Sequence, residues 1–267
     1  MKNLTIQFLQ IGNIVAAIAT IIVNALANIL PIGGKYTAEI SDNIPNLFVP
    51  TGITFSIWGF IYMLIMVFTL YLASDIFSKE KKNTIFIEKI SLFFIIASLA
   101  NILWIFLWHY EYVVLSFGAM AVLFLCLLLL YLRLNIARET LPFRQKICVH
   151  LPISVYFGWI TVATIANVTA ALVVSSWNGF GFSESLWTIL IIVVATLIAI
   201  LVVYMRKDYA YGGVFMWAFF GIYLKRIGDD QLYGVQSAIA YTAAVSLAVI
   251  FITITVVFYL SSLKKKK

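Results

Sequence analysis

The residues able to do chemistry in this chain are amides, hydroxyls and indoles set into apolar sequence. Asn13, Thr20, Asn24 and Asn28, with Ala17 among them, fall within about 80° of one another at 100° per helical residue. An unpaired amide in hydrocarbon is costly, so that stripe must face protein or a wet cavity. Two readings stay open: helix packing through hydrogen bonds worth roughly 0.6 kcal/mol each, or the lining of a binding cavity. Thr161, Thr164 and Asn167 make a second polar face at i, i+3 and i+6, and Asn101 adds one more amide. Of the seven tryptophans, Trp108, Trp177 and Trp187 fall at helix ends, where an aromatic belt is the default expectation. Trp58, Trp104, Trp159 and Trp217 lie deeper, with Trp58 and Trp104 at matching depth, and each buried Nε1–H needs an acceptor. Such residues suit a flat apolar pocket with a few polar groups. They suit plain aromatic packing equally well.

Catalytic constellations are close to absent. His109-Tyr110-Glu111 reads as a set of interfacial turn residues rather than a metal site or triad. His150 has no acidic neighbour in sequence, and no Gly-x-Ser-x-Gly, His-Glu-x-x-His or phosphate-binding loop occurs. Cys126 and Cys148 form no disulfide framework. An enzyme is therefore the less favoured class, and an ATP-driven machine would need a separate subunit.

The elements that must position these groups are membrane helices. Of 267 residues, 63% are hydrophobic and 11% charged, with a mean hydropathy of +1.04. Soluble domains carry about 45–50% apolar and roughly 25% charged residues, so a water-soluble enzyme, a disordered chain and a nucleic-acid-binding module are all excluded. Charge-free runs cover Phe8–Leu30, Gly52–Ala73, Ile90–Trp108, Tyr112–Leu132, Ile147–Val174, Leu186–Met205, Tyr209–Leu224 and Val235–Leu260. About 20 apolar residues cross a bilayer, which predicts eight spans. The seventh run is short, so a re-entrant segment is its alternative, with Arg206, Lys207, Lys225 and Arg226 snorkelling to the interfaces. With eight spans, 15 of the 18 basic residues fall at the end of the bundle that holds both termini. The positive-inside rule then places both termini in the cytoplasm, in a plasma membrane. The net charge of +7 thus reads as orientation and contact with anionic lipid, not a nucleic-acid surface. The first run is longer than a cleaved signal and reads as a retained helix. Only the connection from Pro31 to Thr51 is long, and it is either a functional lid or a tolerated surface loop.

These residues have a recognisable order. Leu26-Ala27-Asn28-Ile29-Leu30-Pro31 closes the first helix, and Phe48-Val49-Pro50 enters the second, followed by Phe55, Trp58 and Tyr62. Asn101-x-x-Trp104 sits on the third helix, and Pro152, Trp159-x-x-x-Ala163-Thr164 and Asn167 mark the fifth. The pattern, from Leu26 to about Asn178, resembles the tryptophan-rich sensory protein or translocator protein (peripheral benzodiazepine receptor) family, as an enlarged, divergent branch. The family's Pro-Pro pair is Pro50-Thr51 here.

The resemblance implies a five-helix core over residues 1–178 with a pocket for porphyrins, sterols or synthetic aromatic ligands, closed by the loop after the first helix. Residues 179–267 form a three-helix C-terminal extension in this reading. The expected fold is an all-α integral membrane bundle of about eight helices. The expected ligand-binding residues are Asn24, Asn28, Trp58, Tyr62, Asn101, Trp104, Trp108, Trp159, Ala163, Thr164 and Asn167. No metal and no cofactor is expected beyond a porphyrin- or haem-like ligand. The expected partners are the lipid bilayer, a hydrophobic small molecule and either a second copy or another membrane subunit. Sensor or translocator leads, with a transporter or permease subunit and a porphyrin-degrading membrane enzyme as alternatives.

Overall fold

The structure is a computed structural model that describes residues 2–78, 84–227 and 235–264. Every regular element among the described residues is helical. In chain order they are α1 (Lys2–Ile29), α2 (Thr37–Asn43), α3 (Ile57–Ala73), α4 (Thr84–Ile90), α5 (Phe93–His109) and α6 (Val113–Arg133). The short α7 (Phe143–Gln145) runs through a π turn into α8 (Leu151–Val174), followed by α9 (Glu184–Arg206), α10 (Tyr209–Ile227) and α11 (Val235–Lys264).

Six helices are long and apolar enough to cross a membrane: Leu4–Ile29, Gly52–Ala73, Val113–Arg133, Phe143–Val174, Glu184–Arg206 and Gln236–Leu263. The third predicted run differs from expectation at its start. Ser91 adopts a left-handed φ of 50°, which splits α4 from α5 and leaves a 17-residue apolar helix, Phe93–His109. The backbone still runs the length of the bundle at 1.5 Å per residue. α10 does so too. Its first turn meets Ser154 and Tyr131 through Asp208, and its last turn meets Asn46 and Leu47 through Arg226. Those partners lie at opposite ends of the bundle, so Tyr209–Ile227 is no re-entrant hairpin.

Many large apolar side chains point outward, among them Phe8, Val15, Ile22, Leu70, Leu197 and Phe251. In water so much exposed apolar surface would drive association; against lipid tails it is the natural outer face. The most extensive helix pairings are α5 with α6, α10 with α11 and α6 with α8. Small residues allow helices to approach closely, and Ala17 of α1, Ala97 of α5, Ala195 and Ala199 of α9 and Ala243 of α11 are fully enclosed.

The amide stripe of α1 divides: Asn13 and Asn24 bond across to neighbouring elements, and Asn24 and Asn28 also line a cavity. Asn13 Nδ2 donates to the carbonyls of Leu9 and Ser91, and Asn24 Nδ2 donates to Thr20 O and, at 2.6 Å, to Asn101 Oδ1 on α5. On α8, Thr161 Oγ1 donates to Phe157 O and accepts the Tyr211 hydroxyl of α10 at 3.1 Å.

Candidate functional site

Trp58 is the centre of the site. One helical turn separates it from Tyr62 on α3, and one turn separates Trp104 from Trp108 on α5, so each pair stacks along its own helix. The ring centroids are 5.5 Å apart for Trp58–Tyr62 and 5.9 Å for Trp104–Trp108. Trp58 and Trp104 stack across the two helices at 6.0 Å. Tyr62, Trp58, Trp104 and Trp108 therefore form one continuous ladder of rings. From α8, Trp159 and Tyr156 meet Trp58 edge-on at 6.2 and 6.3 Å. Edge-to-face contact satisfies the ring quadrupoles, so the cluster is held by more than burial.

A cavity of about 50 Å³ lies against Trp58, Trp104, Trp108 and Trp159. Ala163, Ala166, Asn167 and Ala170 form its α8 wall, their small side chains leaving the space that large ones would fill. The loop after α1 roofs it with Thr37, Ser41, Ile44, Val49 and Pro50. A second cavity of about 230 Å³ lies on the α1 side, with Asn24, Asn28 and Tyr36 on one wall and Phe55 and Trp58 on the other. Thr37, Phe55 and Trp58 line both and separate them.

The polar groups around Trp58 are largely donors. Trp108 Nε1 donates to Thr37 O at 3.3 Å, which ties the ladder to the roof. Trp104 Nε1 and Trp159 Nε1 are buried and find no acceptor in the protein. Asn101 lies beside the hydroxyls of Tyr62 and Tyr156, yet its Nδ2 and both hydroxyls fall outside hydrogen-bond geometry. Buried polar groups are normally paired, so this concentration around one ring is exceptional. No His or Cys lines either cavity among the described residues.

Of the residues expected from sequence, Trp58, Trp104, Trp108, Trp159, Ala163 and Asn167 meet at the first cavity. Asn167 also holds Ser116 of α6, donating from Nδ2 at 3.1 Å. Tyr62, at the end of the ladder, and Asn101 beside it line neither cavity, while Asn24 and Asn28 face the second cavity. Thr164 lines neither; its hydroxyl bonds Ile160 O on its own helix. Trp217 finds its acceptor in Thr54 O at 2.9 Å, between α10 and the turn before α3.

Three expectations need correction. Trp108 is no belt residue, being 5% exposed beneath the loop. His109 is not an interfacial turn residue either: it is 2% exposed, with Nδ1 against Ile105 O and Nε2 3.3 Å from Thr37 Oγ1. The loop folds down over both, which end-of-helix position alone did not reveal. Arg226 does not snorkel. Its guanidinium is buried and donates to the carbonyls of Leu47 and Asn46 at 3.1 Å each and to Gln236 Oε1 at 3.3 Å.

Sequence reading also missed Asp208, a buried carboxylate at the other end of α10. Its sequence signal was only its place between two apolar runs. It accepts Tyr131 Oη at 2.8 Å, Ser154 Oγ at 2.7 Å and the Tyr211 amide at 3.2 Å. Tyr156 was missed as well, although it lies three residues before Trp159 on the same helix.

The roof is clamped by α10. Beyond the Arg226 bonds, Lys225 pairs with Asp42, and Thr51 N donates to Gly221 O at 3.2 Å. The backbones approach so closely there that a side chain at Gly221 would collide with Thr54 and Pro50. At the near end of the loop, Lys35 pairs with Glu111.

These features define a multi-pass α-helical membrane protein with an aromatic pocket beneath a loop. The chain belongs to the family described as TSPO-like protein, whose model matches residues 10–256. The match runs well past Asn178, so the family pattern includes the three C-terminal helices as well as the five that carry the sequence resemblance. Neither a curated protein nor a solved structure gave a match.

Proposed function

We propose that this protein binds a flat, hydrophobic molecule of the porphyrin or sterol kind at the Trp58 ladder, acting as a sensor or translocator. The observation that carries the reading is the pairing of stacked indole faces with buried donors that find no acceptor, on Trp104 and Trp159. Ring faces supply stacking area, and the donors suit acceptor atoms at a ligand's edge. A cavity of about 50 Å³ is far below the roughly 300–1,000 Å³ of small-molecule sites. Binding therefore requires the 31–51 loop to lift and the Phe55–Trp58 wall to yield toward the second cavity. A porphyrin should quench tryptophan emission saturably, and Trp58→Phe with Trp159→Phe should weaken binding about tenfold, the loss of roughly 1.4 kcal/mol of stacking and hydrogen bonding. No saturable quenching by a porphyrin, a bilin or a sterol analogue in the purified protein overturns the reading.

A translocating role is favoured by one further observation. An apolar groove of about 480 Å³ between α3, α8 and α10, lined by Ile57, Phe60, Val155, Gly213 and Trp217, faces sideways near the site. Ligand flux in proteoliposomes separates translocation from sensing.

The termini lie on the cytoplasmic side of a plasma membrane in this reading, because of where the basic residues collect. In a Cys126→Ser, Cys148→Ser background, cysteines at the exposed positions Asn43 and Ser183 should react with an impermeant thiol reagent on intact cells. Cysteines at Ser78, Thr140 and Leu263 should react only after lysis. Label at 263 on sealed cells overturns the orientation.

A further inference from the structure

A cavity larger than the Trp58 pocket lies at the loop end of the bundle. A half-open cavity of about 460 Å³ lies between the 45–47 segment of the loop, the end of α8 and the start of α9. Its volume falls in the range of small-molecule sites, roughly 300–1,000 Å³. Trp177, Phe182 and Trp187 supply an aromatic wall, with Trp177 and Trp187 at 5.2 Å and Phe182 edge-on to Trp187 at 6.2 Å. Trp187 is fixed by donating Nε1 to Gly179 O at 2.8 Å, and a side chain at Gly179 would press on that indole. The connection that presents these rings holds Ser176, Gly179, Phe180 and Gly181 at left-handed φ between 52° and 80°. For Ser176 and Phe180 such a backbone is strained, so the surrounding packing holds the arrangement.

The one charged side chain among the described lining residues is the Glu184 carboxylate. Among the described residues no Lys or Arg lines the cavity; Arg226 stands behind the loop with donors on the carbonyls of Asn46 and Leu47. An anion would meet Glu184 and no compensating cation. Aromatic faces with a single carboxylate recognise organic cations, since the negative ring face and the carboxylate both attract a weakly hydrated positive charge.

We propose that this cavity binds an amphipathic organic cation, a quaternary ammonium or protonated amine carrying an apolar group, with its charge at Glu184 and its body against Trp177, Phe182 and Trp187. The chemistry is shared by choline or ethanolamine lipid headgroups and by free aromatic amines. The probe is benzyltrimethylammonium, titrated calorimetrically against the full-length protein in phosphatidylglycerol nanodiscs. Saturable binding is expected, weakened about tenfold in Glu184→Gln and in Trp177→Leu. The uncharged isostere, with a tert-butyl group in place of trimethylammonium, should bind at least tenfold more weakly. Glu184 is exposed, so Glu184→Gln leaves the fold intact, and an unchanged melting midpoint verifies this. Competition by phosphatidylcholine supports a lipid headgroup as the natural occupant, and lack of competition supports a free amine. Equal binding of the neutral isostere, unchanged affinity in Glu184→Gln, or no saturable binding at all overturns the proposal.

Discussion

Replacing Asp208 by alanine should lower the stability of the folded bundle by about 3–5 kcal/mol. The carboxylate is 4% exposed and gathers three donors from three helices: Tyr131 of α6, Ser154 of α8 and the Tyr211 amide of α10. Removing the common acceptor strands two hydroxyls and one amide, and each buried donor left unmade costs about 1–3 kcal/mol. The loss spreads outward, because Tyr131 also carries Arg206 over its ring at 4.9 Å, and Arg206 Nη1 donates to Ile136 O. Asp208→Asn retains one acceptor oxygen but turns an amide donor toward these donors, so an intermediate loss is expected. The melting midpoint in mild detergent, followed by circular dichroism, measures both. A midpoint in Asp208→Ala within a degree of the parent would show that the junction contributes nothing.

Arg226→Met should release the roof of the Trp58 pocket. Among the described residues three charge-assisted hydrogen bonds disappear, and the Asn46 and Leu47 carbonyls lose their donors. Each buried acceptor left without its donor costs about 1–3 kcal/mol. Much of that cost falls on the roof, because α10 retains its packing against α8, α9 and α11. The exposed Lys225–Asp42 pair cannot compensate, since surface pairs contribute only about 0–1 kcal/mol. Limited proteolysis should cut residues 31–51 at least tenfold faster than in the parent, and acrylamide should reach the indoles of Trp104 and Trp108. Arg226→Lys, keeping the charge without the planar fork, should fall between. Unchanged cleavage together with unchanged indole accessibility would mean that α10 does not hold the loop.

Both junctions lie outside what hydropathy reveals. Asp208 and Arg226 flank an apolar run, and a charge next to a run reads as interfacial whether it snorkels or is buried. The decision belongs to neighbours far away in sequence: Tyr131 and Ser154 for Asp208, Asn46 and Leu47 for Arg226. His109 and Trp108 were misread for the same reason, since the loop that covers them begins more than seventy residues earlier.

The sequence by itself determined the helices and the two ring pairs within them. Runs of apolar residues near membrane length need a helix to pair their backbone groups, which is why Leu4–Ile29, Val113–Arg133 and Glu184–Arg206 were legible with little error. Helical spacing set Trp58 above Tyr62 and Trp104 beside Trp108, so two stacked pairs followed from i, i+4 alone. Only the tertiary structure decided which faces meet. In a membrane bundle the buried and lipid-facing sides are both apolar, so periodicity does not distinguish them as it does in water. Hence the bond from the Asn24 amide to Asn101 on α5, and the turn of the Thr164 hydroxyl back to Ile160, are visible only in three dimensions. The volume of the pocket was likewise decided in three dimensions. It depends on how far the 31–51 loop descends, and the Arg226 guanidinium, more than 170 residues away in sequence, sets that depth by satisfying carbonyls the loop would otherwise bury unpaired.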